Sequence, residues 1–526
     1  MTLILKEDWI RMKKVLALLL AIGLMLGLSP ALAEGKVFSF GGAMDDMDLI
    51  DVHKATSSGV LQGGIMVCEP LLALQPDGTL KPQLLAEMPT VSEDGKVFTC
   101  KLREDVYFHD GTQLTSKDVY FTLHRIFDPA TANVNAWLCD MILGGQDMLD
   151  GKATELAGVT IQDDFNFTIE LDYPYAPFNY ILSCPQMLIY PQDACTAAGD
   201  TWGIDSFVGT GPFVFDTFVA KDSLHLVANE NYYEGRPQID EVYLYNLDRG
   251  TALMEFEAGS LDLVNMDPTY VKGYQEGEFA KNLVMSDLRG IIALNLNVAM
   301  PPLDNVKVRE AVAHAVDQKA IVDSYLQGNG TAANSLITPS VAGYTDRPSF
   351  YNPEKAKALL AEAGYPDGIK LVNYVSETSS IAGIPVVLQE QLKASGIELE
   401  VNRVDSATYV SMRKEGSVQC PLLTWYADMP DPDNFTYTFF QSGNSKFFSS
   451  NWNDSLTDEL LAKGRAMPAG EERTEVYKQI DQRLVAEEFV TVPLYNPVTY
   501  YLKSDKVEGI FFDGSMFHLD DAFFVE

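Results

Sequence analysis

The stretch Asp94–Val119 reads DGKVFTCKLREDVYFHDGTQLTSKDV and contains three local structures in succession. Apolar and polar residues alternate in Phe98–Leu102, which predicts a strand with one buried face. An Asp-Gly pair on each side of the strand-like run predicts a turn, because glycine adopts positive φ without a Cβ clash. Thr115 and Asp118 have the spacing of a capping box, so a helix is expected to begin there.

Further blocks follow in order along the chain. They are GTGPFVF (Gly209–Phe215), AGSLDLV (Ala258–Val264), VKVREAVAHAVDQKAIVDSY (Val306–Tyr325) and YNPEKAKALLAEAGYPDG (Tyr351–Gly368). Val306–Tyr325 has the apolar spacing of one continuous helix. Tyr351–Gly368 has Asn at a helix N-cap and Pro in the first turn. Together with Asp94–Val119, these blocks resemble the extracytoplasmic solute-binding proteins of family 5, which serve peptide, nickel and related ABC importers.

The resemblance implies an α/β protein with the two-lobed periplasmic-binding-protein fold of the large cluster C type and an additional subdomain. The chain is expected to pass between the lobes more than once. Lobe I is expected to contain residues 34–75, 196–290 and 490–526, the subdomain residues 76–195, and lobe II residues 291–489. The alternation of helix-like and strand-like segments favours largely parallel sheets.

Composition narrows the choice of partners. The 526 residues include 38 basic and 74 acidic side chains, which give a formal net charge of −36. Nucleic acids and anionic membrane surfaces bind basic patches, so this charge disfavours both as partners. We interpret the acidic excess mainly as a source of solubility outside the cytoplasm.

The N-terminus has the pattern of an export signal. A basic pair, Lys13–Lys14, precedes the apolar run Val15–Leu28, and Ala31–Ala33 has small residues at the positions that a signal peptidase reads. We predict a signal peptide of residues 1–33, with cleavage after Ala33. The apolar run is shorter than the ~20 residues of a permanent anchor.

Two further features of this region concern location and the start of translation. No cysteine closely follows the apolar run, so the lipid-anchored form common in the family is not encoded, and a periplasmic or extracellular location is expected. Met12 would begin a more ordinary signal than Met1.

Six cysteines are spread along the chain without a CxxC pair, so neither a zinc site nor a redox site is indicated. Cys184 and Cys195 are close enough in sequence for a disulfide in an oxidising compartment. Cys68 and Cys100 have apolar-patterned surroundings and are expected to be buried thiols.

The best candidate for a ligand site is TWYADMPDPDNF, Thr424–Phe435. In the peptide-binding relatives, the aspartate after the Trp-x-Ala element holds the α-ammonium of the ligand, and Asp428 matches that position. A carboxylate in a dry cleft makes short charge-assisted hydrogen bonds to an ammonium. Trp425 and Tyr426 would supply an apolar wall and a stacking surface. The alternative is that Asp428 only caps a turn.

The segment before this aspartate, which includes Thr424 and Ala427, resembles the strand along which family peptides lie, bonded main chain to main chain. Relatives often have Gly where this chain has Thr424. Arg413 matches a position at which some oligopeptide-binding relatives hold the ligand carboxylate, and a plain surface arginine is the alternative. Asp431 and Asp433 are expected to cap turns in the proline-rich loop.

The sequence patterns for metal-chelate binding and for hydrolysis are weaker than those for peptide binding. The six histidines are scattered and none lies between Glu398 and Asn451, which weakens binding of a nickel chelate. The chain has no GxSxG elbow, P-loop or Cys/His nucleophile pair, so an exported hydrolase is disfavoured. We predict a monomeric, non-enzymatic receptor without a cofactor, which delivers short peptides to a membrane ABC permease. The same fold with an oligosaccharide, nickel chelate or opine-like solute, and a peptide-sensing receptor, remain alternatives.

Overall fold

The computed structural model describes residues 35–42, 44, 47–55, 57–514 and 516–525. The predicted signal peptide, residues 1–33, lies outside the described residues. Within them, no helix combines the length and apolar character needed to cross a membrane.

The strands, in chain order, are β1 (Val37–Gly42), β2 (Leu72–Leu74), β3 (Leu80–Pro82), β4 (Thr90–Val91), β5 (Val97–Lys101), β6 (Val159–Ile161), β7 (Asn166–Glu170), β8 (Phe213–Val219), β9 (Ser223–Ala228), β10 (Glu241–Asn246), β11 (Leu263–Met266), β12 (Leu283–Asp287), β13 (Gly290–Asn295), β14 (Thr331–Ala332), β15 (Ile369–Ser376), β16 (Ile397–Val404), β17 (Leu422–Tyr426), β18 (Thr491–Asn496), β19 (Val498–Lys503), β20 (Val507–Glu508), β21 (Phe511–Phe512), β22 (Phe517–His518) and β23 (Phe523–Phe524).

The α-helices, in chain order, are α1 (Ser58–Val67), α2 (Ser116–Phe127), α3 (Gly145–Leu149), α4 (Phe178–Ile181), α5 (Gln192–Ala198), α6 (Arg249–Glu257), α7 (Pro268–Tyr274), α8 (Val306–Ala315), α9 (Gln318–Ala320), α10 (Pro353–Glu362), α11 (Ile384–Lys393), α12 (Ser406–Glu415), α13 (Asp433–Phe440), α14 (Ser455–Ala466) and α15 (Glu471–Gln482). Two π-helical turns extend α9 and α15, at Ile321–Tyr325 and Arg483–Glu487.

Lobe I is built on a mixed sheet with the strand order β12-β19-β11-β1-β10-β9-β8. Strand β1 pairs in parallel with β10 and β11, and the remaining pairs are antiparallel. Alternate side chains of these strands, such as Phe38, Leu224 and Leu244, are completely buried in the core of the lobe. The alternation is the period-2 pattern of strands with one buried face.

The subdomain has a small antiparallel sheet with the order β4-β5-β7-β6. Helix α2 packs on it through Val119, Leu123 and Phe127. The predicted capping box is confirmed, because the backbone N–H of Thr115 donates to a carboxylate oxygen of Asp118 at 3.0 Å and the reciprocal side-chain bond is also formed. The local structures predicted from Asp94–Val119 are therefore present in the expected order.

Lobe II contains the sheet β14-β18-β13-β17 and the separate pair β15-β16. Every pair in the four-stranded sheet is antiparallel, and only β15 and β16 run parallel. The expectation of largely parallel sheets was wrong. Long helical connections separate the strands of this sheet, and such a connection can return the chain in either direction, so helix-strand alternation alone does not fix strand direction.

The predicted continuous helix Val306–Tyr325 is interrupted. Helix α8 ends at Ala315, and the carboxylate of Asp317 accepts a hydrogen bond from the backbone N–H of Ala320 at 2.9 Å. Asp317 thus serves as the N-cap of α9, and this local side-chain bond competes with helix continuation.

The chain crosses between the sheets of the two lobes at two short segments. One lies between β12 and β13, at 287–290, and the other lies between β18 and β19, at 496–498. Strand β18 pairs with β13 of lobe II, although we expected all of 490–526 in lobe I from the sequence. We therefore propose that the second lobe boundary lies near Pro497.

Candidate ligand-binding site

The candidate site begins with β17, which is an edge strand of the lobe II sheet. Its register with β13 places Trp425 opposite Ile291 and Thr424 opposite Ile292. The backbone N–H of Ala427 donates to the C=O of Arg289 at 3.0 Å, so the odd-numbered residues of the strand bond toward β13. The N–H and C=O groups of the even-numbered residues consequently point to the open edge.

Asp428 lies two residues beyond the end of β17, where lobe II contacts the subdomain. Its C=O oxygen is 3.7 Å from Cys184 Sγ of the subdomain. The carboxylate oxygen Oδ2 is buried and has no hydrogen-bond partner among the described residues. Burial raises the pKa of this carboxyl to about 6, and Asn434 offsets part of that effect through a hydrogen bond. The structure therefore holds a largely desolvated carboxylate whose ionised form is only partly compensated.

Asn434 organises the site and was not singled out from the sequence. Its Oδ1 accepts hydrogen bonds from the indole Nε1 of Trp425 and from the backbone N–H of Asp428, both at 3.0 Å. The buried side-chain amide of Asn434 thereby holds both the indole of Trp425 and the backbone at Asp428, where the loop to α13 begins. The only signal in the sequence is its place in the first turn of a helix after a Pro-Asp pair.

The aspartates of the proline-rich loop do more than cap turns. Asp431 Oδ1 accepts from the backbone N–H of Asp433, as expected, but its carboxylate also forms a two-pronged ion pair with Arg473 at 2.7 and 2.8 Å. Asp433 Oδ2 lies 3.3 Å from Nε of Arg465. The backbone C=O of Arg465 accepts from Ala176 of the subdomain at 2.8 Å. Buried ion pairs thus hold the loop between β17 and α13, and the backbone of Arg465 links these pairs to the subdomain.

The possible disulfide between Cys184 and Cys195 is not formed, and all six cysteines are free and buried. Cys184 packs in the core of the subdomain, whereas Cys195 packs in the core of lobe I. Their separation of eleven positions says little about distance, because the intervening chain passes from one core to the other.

Arg413 lies near the C-terminus of α12, and its guanidinium carbon is 5.0 Å from the ring centroids of both Phe447 and Phe448. Its Nε atom is buried without a partner, and no carboxylate lies within ion-pair distance of this residue in the described part of the chain. An arginine without a carboxylate partner is notable in a protein with a net charge of −36.

An aromatic row links this arginine to the aspartate end of the site. Trp425 meets Phe439 at 5.1 Å between ring centroids, and Phe439 meets Phe448 at 4.6 Å. The two contacts and the cation-π contact of Arg413 limit the separation of the indole from the guanidinium to about 15 Å. The predicted site residues in 424–428 therefore lie at one end of this aromatic row, and Arg413 lies at the other end.

A cavity of about 250 Å³ adjoins the site on the side of lobe I and the subdomain. Ser183 and Pro185 line it and flank the cysteine that contacts Asp428. Glu69, at its edge, is buried and accepts hydrogen bonds from neighbouring side chains such as Thr210, while burial raises the pKa of its carboxyl to about 7. Unlike in Asp428, both oxygens of this carboxylate accept hydrogen bonds.

Comparison with known proteins identifies the class. Residues 79–447 match the family described as bacterial extracellular solute-binding proteins, family 5 middle, which is well over half of the chain. The protein therefore belongs to family 5 of the bacterial extracellular solute-binding proteins, and the expected family and fold are confirmed.

The names of individual relatives refer to different ligands. Heme-binding protein A of Haemophilus influenzae is 31% identical over 81% of this chain and 80% of its own length. The probable di/tripeptide-binding protein 5 of Pseudomonas aeruginosa is 28% identical over 82% of this chain and 84% of its own. The solved structure of HbpA2 from Haemophilus parasuis is 26% identical, covers 93% of this chain and 100% of that one, and superposes with a TM-score of 0.83. The relatives are binding proteins, and their names alone do not single out one ligand.

Proposed function

We propose that this protein captures short peptides with a free N-terminus between its lobes and delivers them to a membrane ABC permease. Asp428 would hold the α-ammonium group of the peptide. The observation that supports this proposal most directly is the buried, unpartnered Oδ2 of that aspartate. Ionising such a carboxyl is unfavourable without a partner, and a cationic ligand would restore the lost interaction.

The open edge of β17 suits the backbone of the same ligand. The main-chain groups of Thr424 and Tyr426 point away from β13, and both side chains are exposed. A peptide that added as a further strand would bond to these groups without regard to its side chains. This arrangement favours peptides over ligands that lack a regular series of amide donors and acceptors.

Arg413 would hold the carboxylate of the ligand at the far end of the aromatic row. The separation of the Trp425 indole from the Arg413 guanidinium is at most about 15 Å, and an extended peptide rises about 3.4 Å per residue, so roughly four residues is the most that this separation admits. We therefore propose ligands from dipeptides to about tetrapeptides.

The wider setting follows from the family and the charge. We propose a monomer that is exported through residues 1–33, works outside the cytoplasm, and binds no nucleic acid, since its net charge is −36. Ligand contacts made by both lobes would favour a closed form, and the permease would recognise that form. The peptide would be released chemically unchanged.

Calorimetry with the isosteric variant Asp428→Asn tests the assignment. We expect a tri-alanine peptide to bind the wild-type protein and to lose at least about tenfold in affinity to the variant, the order expected for one charge-assisted hydrogen bond. N-acetylated tri-alanine should bind both proteins equally weakly. Asp367→Asn, which changes an exposed aspartate of lobe II, is the matched control and should bind like the wild type.

Thermal-shift measurements with competing ligand classes test the choice of peptide. Peptides, glutathione, hemin, a nickel chelate and a trisaccharide are compared, because only a ligand of the native state raises the melting temperature. Stabilisation by hemin, the nickel chelate or the sugar, with none by any peptide, would reject the proposed ligand. Mass spectrometry of the peptide after incubation should show it intact, whereas fragments would indicate a hydrolase.

A further inference from the structure

The first crossover between the lobes contains an unusual arginine. Only Leu288 and Arg289 separate β12 of lobe I from β13 of lobe II. Arg289 has a φ of 47°, a left-handed conformation that is uncommon for residues other than glycine, asparagine and aspartate. Its backbone N–H donates to a carboxylate oxygen of Asp287 at 2.8 Å, which stabilises the turn.

Arg289 contacts both lobes at once. Its backbone C=O accepts a hydrogen bond from Ala427, the residue immediately before the proposed ammonium-binding aspartate. Its guanidinium Nη2 donates to the C=O of Asp513 in the C-terminal part of lobe I at 2.7 Å. One residue thus connects the end of β17 to the opposite lobe.

The two crossovers are packed tightly together at this point. The side-chain amide of Asn496, at the second crossover, donates to the C=O of Gly290 at 2.9 Å. A Cβ atom placed on Gly290 would lie 2.8 Å from Cγ of Pro497. Rotation of one lobe against the other must therefore change backbone angles in these few residues.

The guanidinium of Arg289 does not serve an ion pair. No carboxylate lies within ion-pair distance of it in the described ranges, and its Nε is buried without a partner. The hydrogen bond to the C=O of Asp513 is therefore the contact that fixes this half-buried guanidinium in place.

We propose that Arg289 is a positioning residue that sets the resting angle between the lobes and aligns the end of β17 for ligand binding. The guanidinium connects the crossover to Asp513, and the backbone C=O connects it to the strand that ends beside Asp428. The effect on ligand affinity rests on the proposed function, whereas the effect on the lobe angle does not.

Asparagine and lysine variants of Arg289 distinguish the effect of the guanidinium from the effect of the left-handed backbone conformation. Arg289→Asn tolerates the left-handed conformation but removes the guanidinium, and Arg289→Lys keeps a cationic donor of similar reach. Arg403→Ala is the control, because Arg403 is an exposed arginine of lobe II that also lacks a carboxylate partner in the described structure. Circular dichroism and melting temperature confirm that each variant is folded.

Small-angle X-ray scattering of the ligand-free proteins gives the first readout. We expect Arg289→Asn to broaden the pair-distance distribution, Arg289→Lys to restore most of the wild-type profile, and Arg403→Ala to match the wild type. Identical profiles for the wild type and Arg289→Asn would overturn the inference. So would a lysine variant that shifts as far as the asparagine variant, because that result would indicate a purely backbone effect.

Affinity for tri-alanine gives the second readout. The bond from Arg289 to Asp513 acts on affinity only through the alignment of the lobes, so its loss can change affinity by no more than its own free energy; we expect a fall of up to about tenfold for Arg289→Asn and a smaller fall for the lysine variant. If tri-alanine fails to bind even the wild-type protein while the scattering profiles differ as expected, the proposed ligand is wrong and the role of Arg289 stands. If it binds the wild type and Arg289→Asn equally, the alignment of β17 by Arg289 is wrong.

Discussion

Asp428 keeps one carboxylate oxygen buried without a partner in the part of the chain that the structure describes, and burial raises the pKa of its carboxyl to about 6. Binding of an ammonium group requires the ionised form of that carboxyl. As the pH falls through 6, protonation of the ligand-free site competes with the ligand, so affinity falls.

This competition predicts the pH dependence of binding. Between about pH 7 and about pH 5 the affinity for tri-alanine should fall by about tenfold, since the peptide ammonium stays charged over that range. Calorimetry at several pH values measures the slope. Asp428→Asn should bind weakly with no such slope, and a wild-type affinity that is constant over this range would contradict the assignment of the ammonium to Asp428.

The Asp428 carboxyl affects stability in the opposite sense to affinity, because the folded protein gains stability from this group as the pH falls. A carboxyl whose pKa is higher in the folded than in the unfolded state destabilises the protein above that pKa and has no effect below the unfolded value. We therefore expect ligand-free Asp428→Asn to be more stable than the wild type at about pH 7.5, by about 1–2 kcal/mol after allowing for partial exposure. Near pH 4, thermal unfolding should show almost no difference between the two proteins, and an unstable variant at both pH values would contradict the prediction.

The sequence indicated the aspartate but not the residues that arrange it. Asp428 was recognised because its neighbours form a continuous motif, and Trp425 lies in that motif as well. Asn434 was missed, since its two hydrogen bonds exist only when the loop folds back on the end of β17. Arg473, which pairs with Asp431 from α15, is 42 positions away in sequence and no local pattern connects them.

At the scale of elements, the parts defined by local chemistry were predictable. The capping box of α2 and the Asn352 cap of α10, which accepts from Lys355, require only nearby residues. Strand direction and strand partners depend on where long connections return the chain, so the antiparallel sheet of lobe II and the place of β18 in it were not predictable.

The loop between β17 and α13 is held by two buried ion pairs, of which Asp431–Arg473 is the shorter. The side chains of Asp431 and Arg473 are 4% and 6% exposed. Asp431→Asn would leave a buried guanidinium without its counter-charge, and we expect a loss of about 3–5 kcal/mol in the free energy of unfolding. Denaturant unfolding followed by tryptophan fluorescence measures it.

A surface pair provides the control for that loss. Lys307 and Glu362 form an ion pair in which both side chains are about half exposed. Glu362→Gln should therefore change the free energy of unfolding far less than Asp431→Asn does. Equal effects of Asp431→Asn and Glu362→Gln would mean that the buried pair does not hold the loop.

At the scale of the whole molecule, the proposed ligand site lies where lobe I, lobe II and the subdomain meet. Lobe II supplies β17 and Asp428, the subdomain supplies Cys184, and lobe I supplies the segment around Asp513 that contacts the crossover through Arg289. At the two crossovers, the side-chain amide of Asn496 donates to the C=O of Gly290, so the end of β18 is bonded to the start of β13. Under the proposed function, closure would bring groups from lobe I to a ligand that lobe II already holds.

The net charge of −36 would act on a charged ligand before any contact is made. A field of one sign accelerates the association of oppositely charged ligands, and salt weakens it as the Debye length falls from about 30 Å at 0.01 M to about 8 Å at 0.15 M. We expect the association rate of a tripeptide with a lysine side chain to fall several-fold over this range, as measured by stopped-flow tryptophan fluorescence. Tri-alanine, with no net charge, is the matched ligand and should change little. If both peptides respond equally to salt, the acidic surface does not steer ligands and its role is confined to solubility.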